Sequence, residues 1–198
     1  PVSDFVRDRL LLGPTYGNDL DIASLLSGFV SNPMQYAEAS KISLYSVADY
    51  TWNMQAYDAD ASWERALREV LPSAASALRT FATYNEDLGP NGHGFRRDES
   101  REIADICARA AEGEADAVRA LAAQSSLLAA AADRLLQDKE NPLLIDEMRP
   151  WLVQAKVVAD YGRTVCAMHT ASMDKWTAAN FEDLYLQARY LKRRMYDN

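Results

Sequence analysis

The sequence is short of the residues that carry most enzyme chemistry. Its 198 residues include two histidines, His93 and His169, and two cysteines, Cys107 and Cys166. Two cysteines cannot form a disulfide framework or a zinc site on their own. Each falls on an apolar helical stripe, where a small buried thiol is the expectation, and one bridge stays open if their helices are neighbours. No P-loop, GxGxxG, HExxH or CxxC motif occurs, so the usual sequence signs of nucleotide, metalloprotease and thiol-redox chemistry are missing. Basic charge is also in deficit: 21 Lys and Arg against 29 Asp and Glu give −8 at pH 7. That balance lacks the electrostatic footprint of a nucleic-acid or anionic-membrane binder, and neither partner is expected. The longest uninterrupted apolar run, Leu127 to Ala132, is six residues, far short of the roughly 20 that cross a bilayer. No signal-peptide pattern is present, and the first residue is Pro1 and not Met, as expected where processing or trimming set the start. What remains is an ordinary foldable composition, 48% hydrophobic and 25% charged.

Glycine is scarce too, and its distribution organises the chain. Three of the eight glycines lie within Leu88-Gly-Pro-Asn-Gly-His-Gly94, a loop by its turn chemistry, and only Gly113 and Gly162 follow Phe95. Residues 1–30, broken by Gly13-Pro14, Gly17-Asn18 and Gly28, read as an irregular, loop-rich segment. Beyond them the signals are helical. Asn32-Pro33-Met34-Gln35 has the form of a cap, a proline at the first helical position and a residue able to close a capping box, predicting a helix to about Thr51. Asp60 to Glu64 opens a second helix, Pro72 a third, and Asp98 to Glu102 a fourth with Ile103, Ile106 and Ala110 inward.

Periodicity is cleanest in the last three stretches. Val118, Leu121, Ser125, Leu128, Ala132 and Leu135 make one helical face; so do Leu152, Ala155, Ala159 and Cys166, after the cap-plus-proline start Asn141-Pro142. Phe181, Leu184, Ala188, Leu191 and Met195 make a third, and Pro150 is expected to kink or split the middle helix. Such stripes bury themselves against one another, which predicts an all-α, antiparallel helical bundle behind the irregular segment, with Leu121, Leu128, Leu135, Leu184, Leu191 and Met195 buried. His93 reads as a solvated turn residue and His169 as a helix-end or core histidine. The carboxylate pairs Asp58/Asp60 and Glu112/Glu114 read as helix starts and turns, and Lys192-Arg193-Arg194 complements a helix C-terminal dipole.

Chemistry enters with a resemblance. Pro1-Val-Ser-Asp4, Leu12-Gly-Pro-Thr-Tyr-Gly-Asn18, Gly28-Phe-Val-Ser-Asn-Pro-Met34, Ala37-Glu-Ala-Ser-Lys-Ile42 and Val47-Ala-Asp-Tyr-Thr-Trp-Asn53 together resemble glycoside hydrolase family 84. These are bacterial β-N-acetylglucosaminidases related to O-GlcNAcase, some labelled hyaluronidases. The likeness continues through residues 58–70, and beyond about residue 100 it is that of a helical domain following a catalytic barrel. It implies that residues 1–55 are the end of a (β/α)₈ barrel, its last βα loop and last helix, and that residues 56–198 are a helical bundle domain. It implies hydrolysis of terminal β-linked GlcNAc by substrate-assisted retention, in which the 2-acetamido oxygen attacks the anomeric carbon and two adjacent aspartates assist. No adjacent Asp-Asp pair occurs in this sequence, so the parent's catalytic pair is expected upstream and the chain alone is expected to be inactive.

Two substrate-binding positions do match, Asp4 and Asn32, which the resemblance assigns to hydroxyls of the terminal GlcNAc. A carboxylate accepts from two hydroxyls, and an amide both donates and accepts. Without the resemblance Asn32 reads as a helix cap and Asp4 as a loop residue. No cofactor or metal is implied. The implied partner is a GlcNAc-containing glycan or glycoprotein met through the intact parent, and bacterial relatives favour a secreted or cell-surface setting. The alternative function is a helical spacer or interaction module binding protein or glycan, for which Tyr185, Tyr190 and Tyr196 offer a possible aromatic row.

Overall fold

A computed structural model describes residues 9–87, 101–173 and 178–196, with backbone alone for 101–102, 171–173 and 178–180. Asp4 and His93 therefore lie outside the described residues, as do the predicted start of the fourth helix at Asp98 and the glycine-rich loop around Gly92. The described residues form seven α-helices and no strand: α1 (Ala37–Trp52), α2 (Ala59–Val70), α3 (Ala75–Ala82), α4 (Arg101–Ala111), α5 (Ala115–Leu136), α6 (Pro142–Met173) and α7 (Ala178–Tyr196). This is the all-α bundle that the stripes require. Residues 9–36 run ahead of it as irregular chain, with one 3₁₀ turn at Ile22–Leu25. No described helix is long and apolar enough to cross a membrane.

The core is continuous from the irregular segment into the bundle. Leu10, Leu11 and Leu12 join Trp63 and Leu67 of α2, Leu78 and Phe81 of α3, Leu128 and Leu135 of α5, and Leu144, Ile145, Met148 and Leu152 of α6. Helices α5 and α6 approach closely at Gly162, where an added Cβ would stand 2.4 Å from the Ser125 hydroxyl oxygen. Two expectations need correction here. Of the two outcomes expected at Pro150, a kink or a split, the split does not occur: α6 is one helix through it. The carbonyl that loses its partner belongs to Asp146, and both residues are solvent-exposed, so water can take the place of the missing donor. Burial along the stripes is also less complete than predicted. Leu128, Leu135 and Leu191 are buried, whereas Leu121, Leu184 and Met195 are half-buried and Cys107 is exposed. The shortfall on α7 follows from its place at the bundle's edge, where it packs chiefly on α6.

A third correction concerns how helices begin. Asn141-Pro142 starts α6 as its sequence dictates, the Asn141 side-chain oxygen accepting from the Leu144 N–H at 3.1 Å. Asp58 caps α2 in the same way, through the Ala61 N–H at 2.8 Å. Asn32-Pro33 starts nothing: α1 begins at Ala37, its N-cap residue is Tyr36, and that cap makes no side-chain hydrogen bond. The open N–H groups of Glu38 and Ala39 are instead satisfied from α6, both donating to one carboxylate oxygen of Glu147 at 2.9 Å. An anionic acceptor on a helix N-terminus is favoured both by the unpaired donors and by the dipole. The same junction is closed by the Asn141 amide, which donates to Glu38 at 2.8 Å, and by an edge-to-face contact of Tyr36 with Trp151 at 5.2 Å.

Candidate functional site

The irregular segment is held by its own backbone polar groups, which the surrounding helices satisfy. Leu10 to Leu12 are apolar on consecutive residues, so an extended strip there buries side chains to both sides and must find partners for its backbone. The Leu12 N–H donates to the Asn85 carbonyl at 2.8 Å and the Gly13 N–H to the Glu86 carbonyl at 3.1 Å. The Leu12 carbonyl accepts from the Trp63 indole at 2.7 Å. Ser43 of α1 shares its hydroxyl between the carbonyls of Leu11 and Gly13, at 2.9 and 3.1 Å. Ser46 accepts from the Thr15 N–H at 2.8 Å, Tyr57 donates to the Thr15 carbonyl, and Tyr50 donates to the Asp19 carbonyl at 2.7 Å. Gly13 is required by proximity: a Cβ there would lie 2.3 Å from the Glu86 carbonyl oxygen, which is backbone and cannot swing aside.

This stitching shapes a cleft of about 320 Å³ between residues 11–18, residues 29–32, α1 and the turn after α3. Its polar lining includes Asn32, Ser31, Asn18, Tyr16, Glu86 and Asp87. Met34, which follows Asn32-Pro33, is buried and anchors that stretch: its sulfur accepts from the Leu11 N–H at 3.2 Å, and its carbonyl accepts from Ser40 at 3.1 Å. The anchor leaves Asn32 exposed at the cleft wall. Glu86 and Asp87 are buried, and the Tyr16 phenol donates to Asp87, so the 13–18 loop is pinned at its middle as well as at its start.

Of the two sequence-predicted substrate residues, Asn32 lines this cleft, and Asp4 lies outside the described residues. Sequence reading did not single out Glu86, Asp87 or Tyr16. Tyr16 meets Asp87 across a separation of 71 residues, and no local pattern announces such a contact. The Leu12-Gly13-Pro14 run does hold a clue, because a glycine closing an apolar run is where another backbone can approach.

Two family models match the chain: β-N-acetylglucosaminidase over residues 1–83, and the bacterial GH84 post-catalytic domain over residues 105–198. Among solved structures, CpGH84B matches with a TM-score of 0.86 at 25% identity, over 98% of this chain and 34% of that one. CpGH84D matches with a TM-score of 0.83 at 28% identity, over 98% of this chain and 33% of that one. A mutant of the Thermobaculum terrenum O-GlcNAc hydrolase shares the fold, with a TM-score of 0.76 at 22% identity, over 100% of this chain and 41% of that one. The chain thus spans between a third and two-fifths of the length of these proteins. With one family model on the cleft-forming half, the other on the bundle, and both kinds of match agreeing, the chain belongs to glycoside hydrolase family 84, of which it forms a C-terminal region.

Proposed function

We propose that this chain is the C-terminal part of a β-N-acetylglucosaminidase and supplies the hydroxyl-binding side of its sugar pocket. In this reading residues 1–55 complete the catalytic barrel and residues 56–198 are the bundle that follows it. The parent cleaves terminal β-linked GlcNAc from a glycan or glycoprotein. The substrate's 2-acetamido oxygen displaces the leaving group, one aspartate orients that acetamido group, and its neighbour protonates the departing oxygen and then activates water. Both aspartates come from outside this chain, which contains no Asp-Asp pair. Asp4 and Asn32 take hydroxyls of the bound sugar, Asp4 accepting and Asn32 both donating and accepting.

The observation that carries the reading is the position of Asn32. It sits at the wall of a polar cleft, and the helix that its sequence context suggests it caps begins further on and is capped by Glu147 instead. An exposed amide beside a polar cleft, in a stretch anchored by the buried Met34, suits ligand contact. The test is hydrolysis of an aryl β-N-acetylglucosaminide by the 198-residue chain and by the longer parent. The parent turns over and the chain does not, since loss of acid–base assistance alone costs about 10²–10⁴ in rate. Saturable hydrolysis by the highly purified chain would overturn this reading.

A further inference from the structure

The polar cleft has a wall that the glycosidase reading does not use. Its 11–18 strip carries Tyr16, half-buried at the cleft, whose phenol donates to the Asp87 carboxylate, itself only 8% exposed. The chain on both sides of that contact is tied down. The Gly13 N–H is held by the Glu86 carbonyl and the Thr15 N–H by Ser46, with the Thr15 carbonyl taken by Tyr57. Across from them, the Asn85 amide donates to the Phe81 carbonyl at 3.1 Å and fastens the turn that carries Asp87 to the end of α3. Tyr16 thus stands at the cleft with its backbone set by the neighbouring elements and its hydroxyl proton set by Asp87. The cleft's volume, about 320 Å³, is at the small end of the roughly 300–1,000 Å³ of small-molecule sites, so a compact ligand fits it.

We propose that Tyr16 is a further sugar-binding residue of this pocket and that Asp87 is its positioning residue. The inference rests on the glycosidase reading and adds to it a contact from the 13–18 loop. A phenol oxygen that gives its proton to a carboxylate can still accept from another group. Donation to an anion also polarises that oxygen and makes it a better acceptor. The direction of the chain is therefore fixed: a ligand hydroxyl donates to Tyr16, and Tyr16 donates to Asp87. Tyr16 in this state selects a ligand group that donates, a hydroxyl and not a carbonyl or carboxylate oxygen. Because the phenol is already oriented, little ordering remains to be done when the ligand arrives. In the glycosidase reading Asp87 belongs to the bundle part and Tyr16 to the barrel part, so the pocket draws on both.

The experiment uses the parent enzyme, with affinities for a GlcNAc-derived competitive inhibitor and its mono-deoxy analogues, steady-state kinetics and Tm recorded on the same samples. Tyr16→Phe keeps the ring and deletes only the oxygen. It should weaken the inhibitor about two- to tenfold, the worth of one net hydrogen bond, with the loss falling on KM and not on kcat. One of the deoxy analogues should bind Tyr16→Phe and the unmodified protein equally, because the hydroxyl that Tyr16 serves is already gone. Asp87→Ala should cost affinity in the unmodified background and little in the Tyr16→Phe background, a non-additivity that a purely structural carboxylate would not give. Asp87→Asn, which keeps an acceptor for the phenol without its charge, should lie between, and it completes the cycle if Asp87→Ala does not fold. Full affinity in Tyr16→Phe, a fall in Tm without a loss of affinity, uniform weakening across every analogue, or additive losses at Tyr16 and Asp87 would overturn the proposal. Asn32→Ala, measured alongside, keeps the two readings apart: weakening there with none at Tyr16→Phe leaves the glycosidase reading standing and removes Tyr16 from it.

Discussion

The chain contains two Asn-Pro dipeptides that read alike and fold differently. At Asn141-Pro142 the asparagine caps α6 and its amide reaches across to Glu38. At Asn32-Pro33 the chain stays irregular as far as Tyr36, because Met34 is drawn into the core and its carbonyl is taken by Ser40. The difference is one of supply: the first N–H groups of α1 are satisfied by Glu147, a residue more than 100 positions away, and not by Asn32. A capping motif states what a residue can do for a helix, and tertiary structure decides whether the helix needs it.

The contrast can be broken or sharpened by substitutions read out as unfolding free energy. The bundle sets the scale: Leu128→Ala, at a fully buried position facing α6, should cost about 2–5 kcal/mol in urea unfolding. Glu147→Ala removes the shared acceptor of two helix-terminal N–H groups and should cost about 1.5–3 kcal/mol, the range for hydrogen bonds to a charged group. Asn141→Ala should cost about 0.5–2 kcal/mol, as a lost cap does. Asn32→Ala, at an exposed position that does not cap α1, should cost less than Asn141→Ala, within about 0.5 kcal/mol. A loss at Asn32 equal to that at Asn141 would restore it to a structural role.

A pH titration sharpens the bundle side of the comparison. Burial alone would raise the Asp138 carboxyl, but hydrogen bonds from the Glu140 N–H, the Ser73 hydroxyl and Arg134 overcome it and hold the group below its ordinary value. A group whose folded pKa is lowered stabilises fully above its unfolded value and loses that contribution as pH falls through the folded one. Stability should therefore drop below about pH 4, and Asp138→Asn should flatten that acid limb, as followed by denaturant midpoints from pH 2 to 7.

The parts of the fold visible in sequence were those written in local spacing. The stripe through Leu128 and Leu135, and the cap at Asn141, depend on residues a few positions apart, and the structure has both. Leu184 and Met195 follow the same spacing on α7 yet are half-buried, because periodicity shows which face points inward and not how many neighbours cover it. Of the candidate site, Asn32 was legible only through the family resemblance. The wall formed by Tyr16, Glu86 and Asp87 depends on backbone pairing between residues 12–13 and 85–86, a contact without a sequence period.

The central claim, that Asn32 serves the sugar and not the helix, is tested most directly by one paired measurement on the parent enzyme. It is the affinity of a GlcNAc-derived competitive inhibitor for Asn32→Ala against the unmodified protein, with Tm recorded on the same samples. The account predicts an affinity lower by about two- to tenfold, the worth of a net hydrogen bond, with Tm unchanged. Unchanged affinity, or a fall in Tm like that of Asn141→Ala, would contradict it.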